Sequence, residues 1–144
     1  MANAWYDGGL NEFGKGNVLW LASGGSTIEA IMVDSGYTYS AAHTTLSDVP
    51  STARHTNDGG SAVALTLIDA ASGGVLDAND ISFTGMTSAP AYNAIIIYRR
   101  ISSGDANTRL LLYIDTGTSG LPTSAGATTV NVVWDNGTNK IARL

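Results

Sequence analysis

A chain of 144 residues with no cysteine, 13% charged residues and a formal net charge of -5 excludes several classes at once. Disulfide scaffolds and thiolate metal sites are ruled out. No basic stripe exists to neutralise the phosphates of a nucleic acid, and no 18-residue apolar run exists to cross a bilayer as a helix.

The length suits one domain, which at this size buries roughly 68–70% of the surface its unfolded chain exposes. Lys and Glu occur twice each, while Gly, Ala, Ser and Thr dominate. Such a composition suits short strands and tight turns. The sparse charge also points to a surface partly covered by partners.

Residues 1–16 hold Gly8, Gly9, Gly14 and Gly16, yet also Trp5, Tyr6, Leu10 and Phe13. The start lacks the basic end and apolar centre of a secretory signal. A flexible linker has no use for large apolar side chains, so the segment reads as a Gly-rich arm with aromatic anchors. Residues 17–144 read as a single β domain. Aromatic residues are enriched at interfaces, which makes Trp5, Tyr6, Leu10 and Phe13 the candidate partner contacts. The alternative is that the arm packs back on its own domain.

Asn17–Ala22 and Thr27–Val33 have strand character around Ser23-Gly24-Gly25-Ser26. One short helix is expected near Leu46–Val49, ending before Pro50. Asp58-Gly59-Gly60 is a turn. Val63, Leu65 and Leu67 alternate, which predicts a half-buried strand over 62–68, and Ser72-Gly73-Gly74 turns again. Ile81-Ser82-Phe83 is a short strand. The runs Ile95-Ile96-Ile97-Tyr98 and Leu110-Leu111-Leu112-Tyr113-Ile114 leave no room for a wet face, so both predict central strands covered on both sides. Ser102–Asn107 is the loop between them. Near the end, Asn136-Gly137 between two apolar runs predicts a terminal hairpin with a type I′ turn. Trp20 and Trp134 are expected in the core. The whole reads as all-β: an antiparallel sandwich or jelly-roll-like barrel of about eight or nine strands with at most one short helix.

Motifs of known chemistry are few. Asp115-Thr116-Gly117-Thr118 follows an apolar strand and resembles the signature of aspartic proteases, whose chemistry needs two facing carboxylates. One copy per chain would require a homodimer. The supporting apolar-apolar-Gly segment is missing, because Trp134 follows Val132-Val133. The residues themselves favour a strand end with Asp capping local N–H groups. Asp77 and Asp80 lie close enough in sequence to hold a cation, but the EF-hand spacing is absent. His43 and His55 have no partner at ligand spacing and read as loop residues. No cofactor is implied.

Gly16-Asn17-Val18-Leu19-Trp20, Ile28–Asp34, Tyr37-Thr38 and Leu46-Ser47-Asp48-Val49-Pro50 occur in a suggestive order. They are followed by Asp77–Phe83, Ala94–Tyr98, Arg109–Asp115 with Gly120-Leu121-Pro122, and Trp134–Gly137 through Lys140-Ile141. Over nearly its whole length the chain resembles small virion structural proteins of tailed bacteriophages. The resemblance implies a capsid decoration or cement protein that bridges major-capsid subunits. It would be assembled in the host cytoplasm, sit on the virion surface, and form a homo-oligomer, with a trimer favoured. A tail or head-fibre component or a host-surface binding module is the second reading, and a homodimeric protease using Asp115 the third. Neither nucleic acid nor membrane is an expected partner.

Overall fold

The computed structural model of the chain describes residues 3–69, 74–87, 89–101, 104–117, 120–137 and 140–144. The first elements are β1 (Ala4–Trp5), α1 (Asp7–Gly14) and β2 (Ile28–Val33). Three 3₁₀ turns follow, at Leu46–Asp48, Ser51–Ala53 and His55–Asp58. Then come β3 (Val63–Ala64), β4 (Leu67–Ile68), β5 (Val75–Ala78) and β6 (Ile81–Thr84). The chain closes with β7 (Ala94–Arg99), β8 (Arg109–Ile114), β9 (Thr129–Val132) and β10 (Ala142–Arg143). The fold is all-β, as the sequence predicts.

A five-stranded antiparallel sheet runs in the order β1-β8-β7-β2-β3. A three-stranded sheet, β10-β5-β4, and a two-stranded ribbon, β6-β9, form the second layer. The sheets do not close, so the architecture is a sandwich and not a barrel. The central strands are buried on both faces, as their unbroken apolar runs require. Ala30, Met32, Ile95 and Ile97 face the second layer, where they meet Leu67, Leu76, Ile81 and Phe83. Ile31, Val33, Ile96 and Tyr98 face the other way. There the cover is irregular chain, and Tyr6, Tyr37, Leu46 and Val49 supply its apolar contacts.

A β-bulge on β8 adjusts this pattern. Ile97 pairs with Leu112 and Tyr98 with Leu110, so Leu111 is the extra residue. Leu111 and Leu112 therefore both turn toward the second layer, while Leu110 and Tyr113 turn away from it.

Several expected elements differ. The strand expected over 62–68 is two strands: β3 pairs with β2 in the central sheet, and β4 with β5 in the second layer. Its alternation survives, because the chain crosses between layers there with Leu65 and Leu67 still turned inward. Asn17–Ala22 is not a strand but an extended loop, closed by Leu19 and Ser26. The short helix expected near Leu46–Val49 is a 3₁₀ turn, and the α-helix lies at Asp7–Gly14 instead. Residues 72–73, 102–103 and 118 fall outside the described residues.

The terminal hairpin does not form. β9 pairs with β6, and β10 pairs with β5. Asp80 accepts the Trp134 N–H at 2.9 Å, and the Trp134 indole donates to the Asn79 carbonyl at 3.0 Å. These bonds hold the chain leaving β9 against the β5–β6 corner. Asp135 then takes the Gly137 N–H at 2.9 Å, an Asx turn that competes with a hairpin ladder. Lys140, left-handed at φ 52, helps redirect the chain toward β5. Trp20 donates to the Asp77 carbonyl at 2.7 Å, so the two expected core tryptophans bracket one corner.

Candidate partner-binding surfaces

The four predicted contact residues lie in a segment that is part of the domain. β1 pairs with the bulged strand β8, and the Tyr6 N–H donates to the Leu111 carbonyl. Gly9 lets α1 dock there: a Cβ on it would sit 2.7 Å from Leu111 Cα. Tyr6 is 0% exposed. Its phenol bonds to that of Tyr37 at 2.9 Å, and Tyr37 bonds to His43 Nδ1 at 2.9 Å. Burial pushes the Tyr6 phenol far up and that of Tyr37 to about 12. Tyr6 therefore serves the chain's own core and has no surface to offer a partner. Trp5 and Phe13 meet edge-to-face at 5.7 Å and are half-buried against the core. Of the four, Leu10 alone is largely exposed, at 44%. The alternative that the arm packs on its own domain describes these contacts.

In the central sheet the outer sides of the long strands β2 and β8 are covered, partly by the two-residue edge strands β3 and β1 and partly by irregular chain. Along β2, β3 covers Glu29 and Ala30, and the Asp34 N–H donates to the Ala53 carbonyl. Between them the Met32 N–H donates to His55 Nδ1 at 3.1 Å. The other ring nitrogen of His55 donates to the Ser61 carbonyl at 2.8 Å. These two bonds fix a neutral tautomer, and burial holds its pKa below the usual imidazole value. His55 is thus a fully buried edge cap, not the loop residue the sequence suggests. Along β8, residues 44–46 bond Thr108 and Leu110, β1 and Tyr6 cover Leu111–Tyr113, and the Asn3 side chain takes the Thr116 N–H. These caps leave only the two-residue strands β1 and β3 at the sheet's edges, too short to template a long added strand.

The carboxylates singled out in the sequence have structural partners. Asp115 accepts from the Thr116 hydroxyl at 3.0 Å at the end of β8. Asp80 caps Trp134, whereas Asp77 accepts the Ala78 N–H and lies 3.6 Å from the Lys140 ammonium. Among the described residues no three metal-ligating side chains gather, and no buried side-chain N or O lacks a partner.

The second layer is less complete. β9 pairs with β6 on one side, and among the described residues no strand pairs with its other side. That open edge forms one wall of a cleft of about 590 Å³. The opposite wall is the end of β8 and the chain just past it, Ile114, Thr116 and Gly117, and the floor includes Met32, Ile95 and Ile141. Here the two layers part. Val133, just past β9, is 70% exposed. A second apolar group lies at the loop after α1. Leu19 and Leu21 are exposed there while Val18 and Trp20 turn inward. A bond from the Ala22 N–H to Asp69 ties this loop to β4, where Ile68 is exposed.

The cleft was not legible in the sequence, because its walls come from segments far apart in the chain. The alternation Val130-Asn131-Val132 hinted only at a strand with one wet face. No family model, curated protein or solved structure matches the chain.

Proposed function

We propose that the chain is a structural protein of a tailed-bacteriophage particle, decorating and stabilising the capsid by bridging major-capsid subunits. The resemblance described above motivates this reading, and one contrast supports it. The long strands of the central sheet are covered on both faces and along their sides, whereas apolar side chains and the outer edge of β9 remain at the periphery. Such a distribution suits a rigid piece that binds protein. A reinforcing protein needs a scaffold that does not deform under load. It also needs several modest contacts, whose joint effect grows through effective concentration.

The test is co-sedimentation with shells of the major capsid protein encoded in the same genome. Saturable binding at a fixed ratio per capsid subunit is expected. Absence of binding to both immature and expanded shells would overturn the reading. Sedimentation equilibrium of the free protein measures the oligomer, with a mass three times the 14.8 kDa of the chain expected.

A further inference from the structure

We infer that the cleft beside β9 is a strand-addition site for an extended, uncharged segment of a partner polypeptide with apolar side chains at alternate positions. The inference deepens the reading above by naming how the partner is held, but its chemistry does not depend on that partner being a capsid.

Backbone pairing comes first. The described residues cover the outer sides of the long central strands β2 and β8 but leave the outer edge of β9 without a strand. An extended chain laid along that edge would complete a three-stranded sheet with β6 and β9. Val130 to Trp134 line the cleft as one wall, a length of roughly 16 Å at strand rise. That is long enough for several main-chain hydrogen bonds, which give affinity whatever the side chains.

The floor then selects side chains. In an added strand every second side chain points inward, here toward Met32, Ile95, Ile114 and Ile141. Those residues belong to the buried apolar core and line the bottom of the cleft, so incoming side chains that reach them must be apolar. A volume of about 590 Å³ lies within the range of ligand-holding pockets.

Charge complementarity sets the remaining condition. The polar lining is mostly neutral, with Asn3, Thr116, Asn131 and Asn136. Its ammonium, Lys140, lies 3.6 Å from Asp77, and Asp135 is engaged with the Gly137 N–H. Neither charge has an unmet opposite in the cleft, so a charged segment would lose hydration without compensation. A compact small molecule could fill the floor but would leave the β9 edge unpaired.

The test uses the full chain, immobilised, and a random library of displayed peptides about ten residues long, a usual strand length. Enriched peptides should carry uncharged apolar residues at alternate positions. Methylating alternate backbone nitrogens in the best synthetic peptide should weaken binding about tenfold or more, because each blocked N–H removes a ladder bond without changing a side chain. Hydrogen exchange should show protection on binding over residues 129–134. Asn131→Pro should weaken binding, and Val133→Glu, at an exposed site that leaves folding intact, should do so as well.

Failure to enrich any peptide would overturn the inference. So would binding insensitive to N-methylation, or protection that lies elsewhere. A chain that binds capsid shells without protection over 129–134 would refute the cleft and leave the capsid reading standing. Peptide binding in the cleft without shell binding would do the reverse.

Discussion

The central sheet and the β6–β9 ribbon are both antiparallel and rich in good strand formers, yet they end in opposite states. β7 is flanked on both sides by strands of matching length and covered on both faces. β9 has one strand partner and one half-buried face. The difference does not lie in strand propensity. It lies in what the intervening chain was given to do. Residues 34–58 and the N-terminal segment supply edge caps and a lid for the central sheet. No described element does the same for β9. Rigidity and availability are thereby assigned to different parts of one small domain.

The largest effect should come from cutting into the covered side. Ile96 is fully buried beneath the irregular lid. Ile96→Ala should cost about 2–5 kcal/mol by lost burial and residual cavity. The urea midpoint should fall with an unchanged slope. A loss under 1 kcal/mol would mean that the lid collapses into the gap and is softer than its contacts indicate.

Next is the docking of the N-terminal segment. At Gly9 a methyl group would meet backbone, with Leu111 Cα at 2.7 Å and the Leu110 carbonyl oxygen at 2.8 Å. Backbone cannot swing aside as a side chain does. Gly9→Ala should therefore cost about 1–3 kcal/mol although Ala is the better helix former. Faster exchange at the Tyr6 N–H, whose acceptor is Leu111, would locate the damage. A gain in stability would show that α1 is not held against the bulge.

These two sites differ in how far sequence reveals them. The runs around Ile96 and Leu111 announce buried central strands, since no alternation is left for solvent. The alternation of Val63, Leu65 and Leu67 likewise shows which side is inward. What it hides is the crossing between sheets after Ala64. α1 is poorly signalled, because Asp7-Gly-Gly is weak helix sequence and the helix depends on packing against a bulge contributed a hundred residues later. The terminal Asn-Gly failed as a hairpin signal for a similar reason. Asp80, Asn79 and Asp135 each offer Trp134 or Gly137 a competing hydrogen bond, and a local rule weighs none of the distant ones. Long-range partners likewise make the cleft and the role of His55 unreadable from the chain alone.

His55 offers a milder perturbation of the same edge. Its pKa is depressed from the ordinary 6.5 of the unfolded chain. Between those two values the unfolded state binds more protons than the folded one, so stability rises with pH there. The contribution is complete above about pH 6.5 and is lost as pH falls toward the folded value. Protonation would place an N–H of the ring against the Met32 N–H, which now donates to it. Denaturant midpoints should thus decline from pH 7.5 to 5.5. In His55→Gln, which does not titrate, that decline should vanish. Asp48, held below its ordinary 3.8 by the Thr45 and Thr44 N–H groups, acts at lower pH and does not overlap. A slope that persists in the variant would assign it to another group.

The smallest expected effect is the most diagnostic for the open side. Val133 is 70% exposed in the free chain, so its side chain already contacts water. Val133→Glu should change stability by less than about 0.5 kcal/mol, the usual range for a surface site. Native-state exchange should agree: β9 amides outside the ladder with β6 should exchange by local opening, well before those of β7, which should require opening near the global limit. If Val133→Glu is instead strongly destabilising, the residue is covered in solution, and a second copy of the chain is the simplest cover. Concentration-dependent stability would then identify that copy as the occupant of the β9 edge. Neutral behaviour leaves the edge free for the partner strand we infer, on a side of β9 that the described residues leave bare while they cover the corresponding sides of β2 and β8.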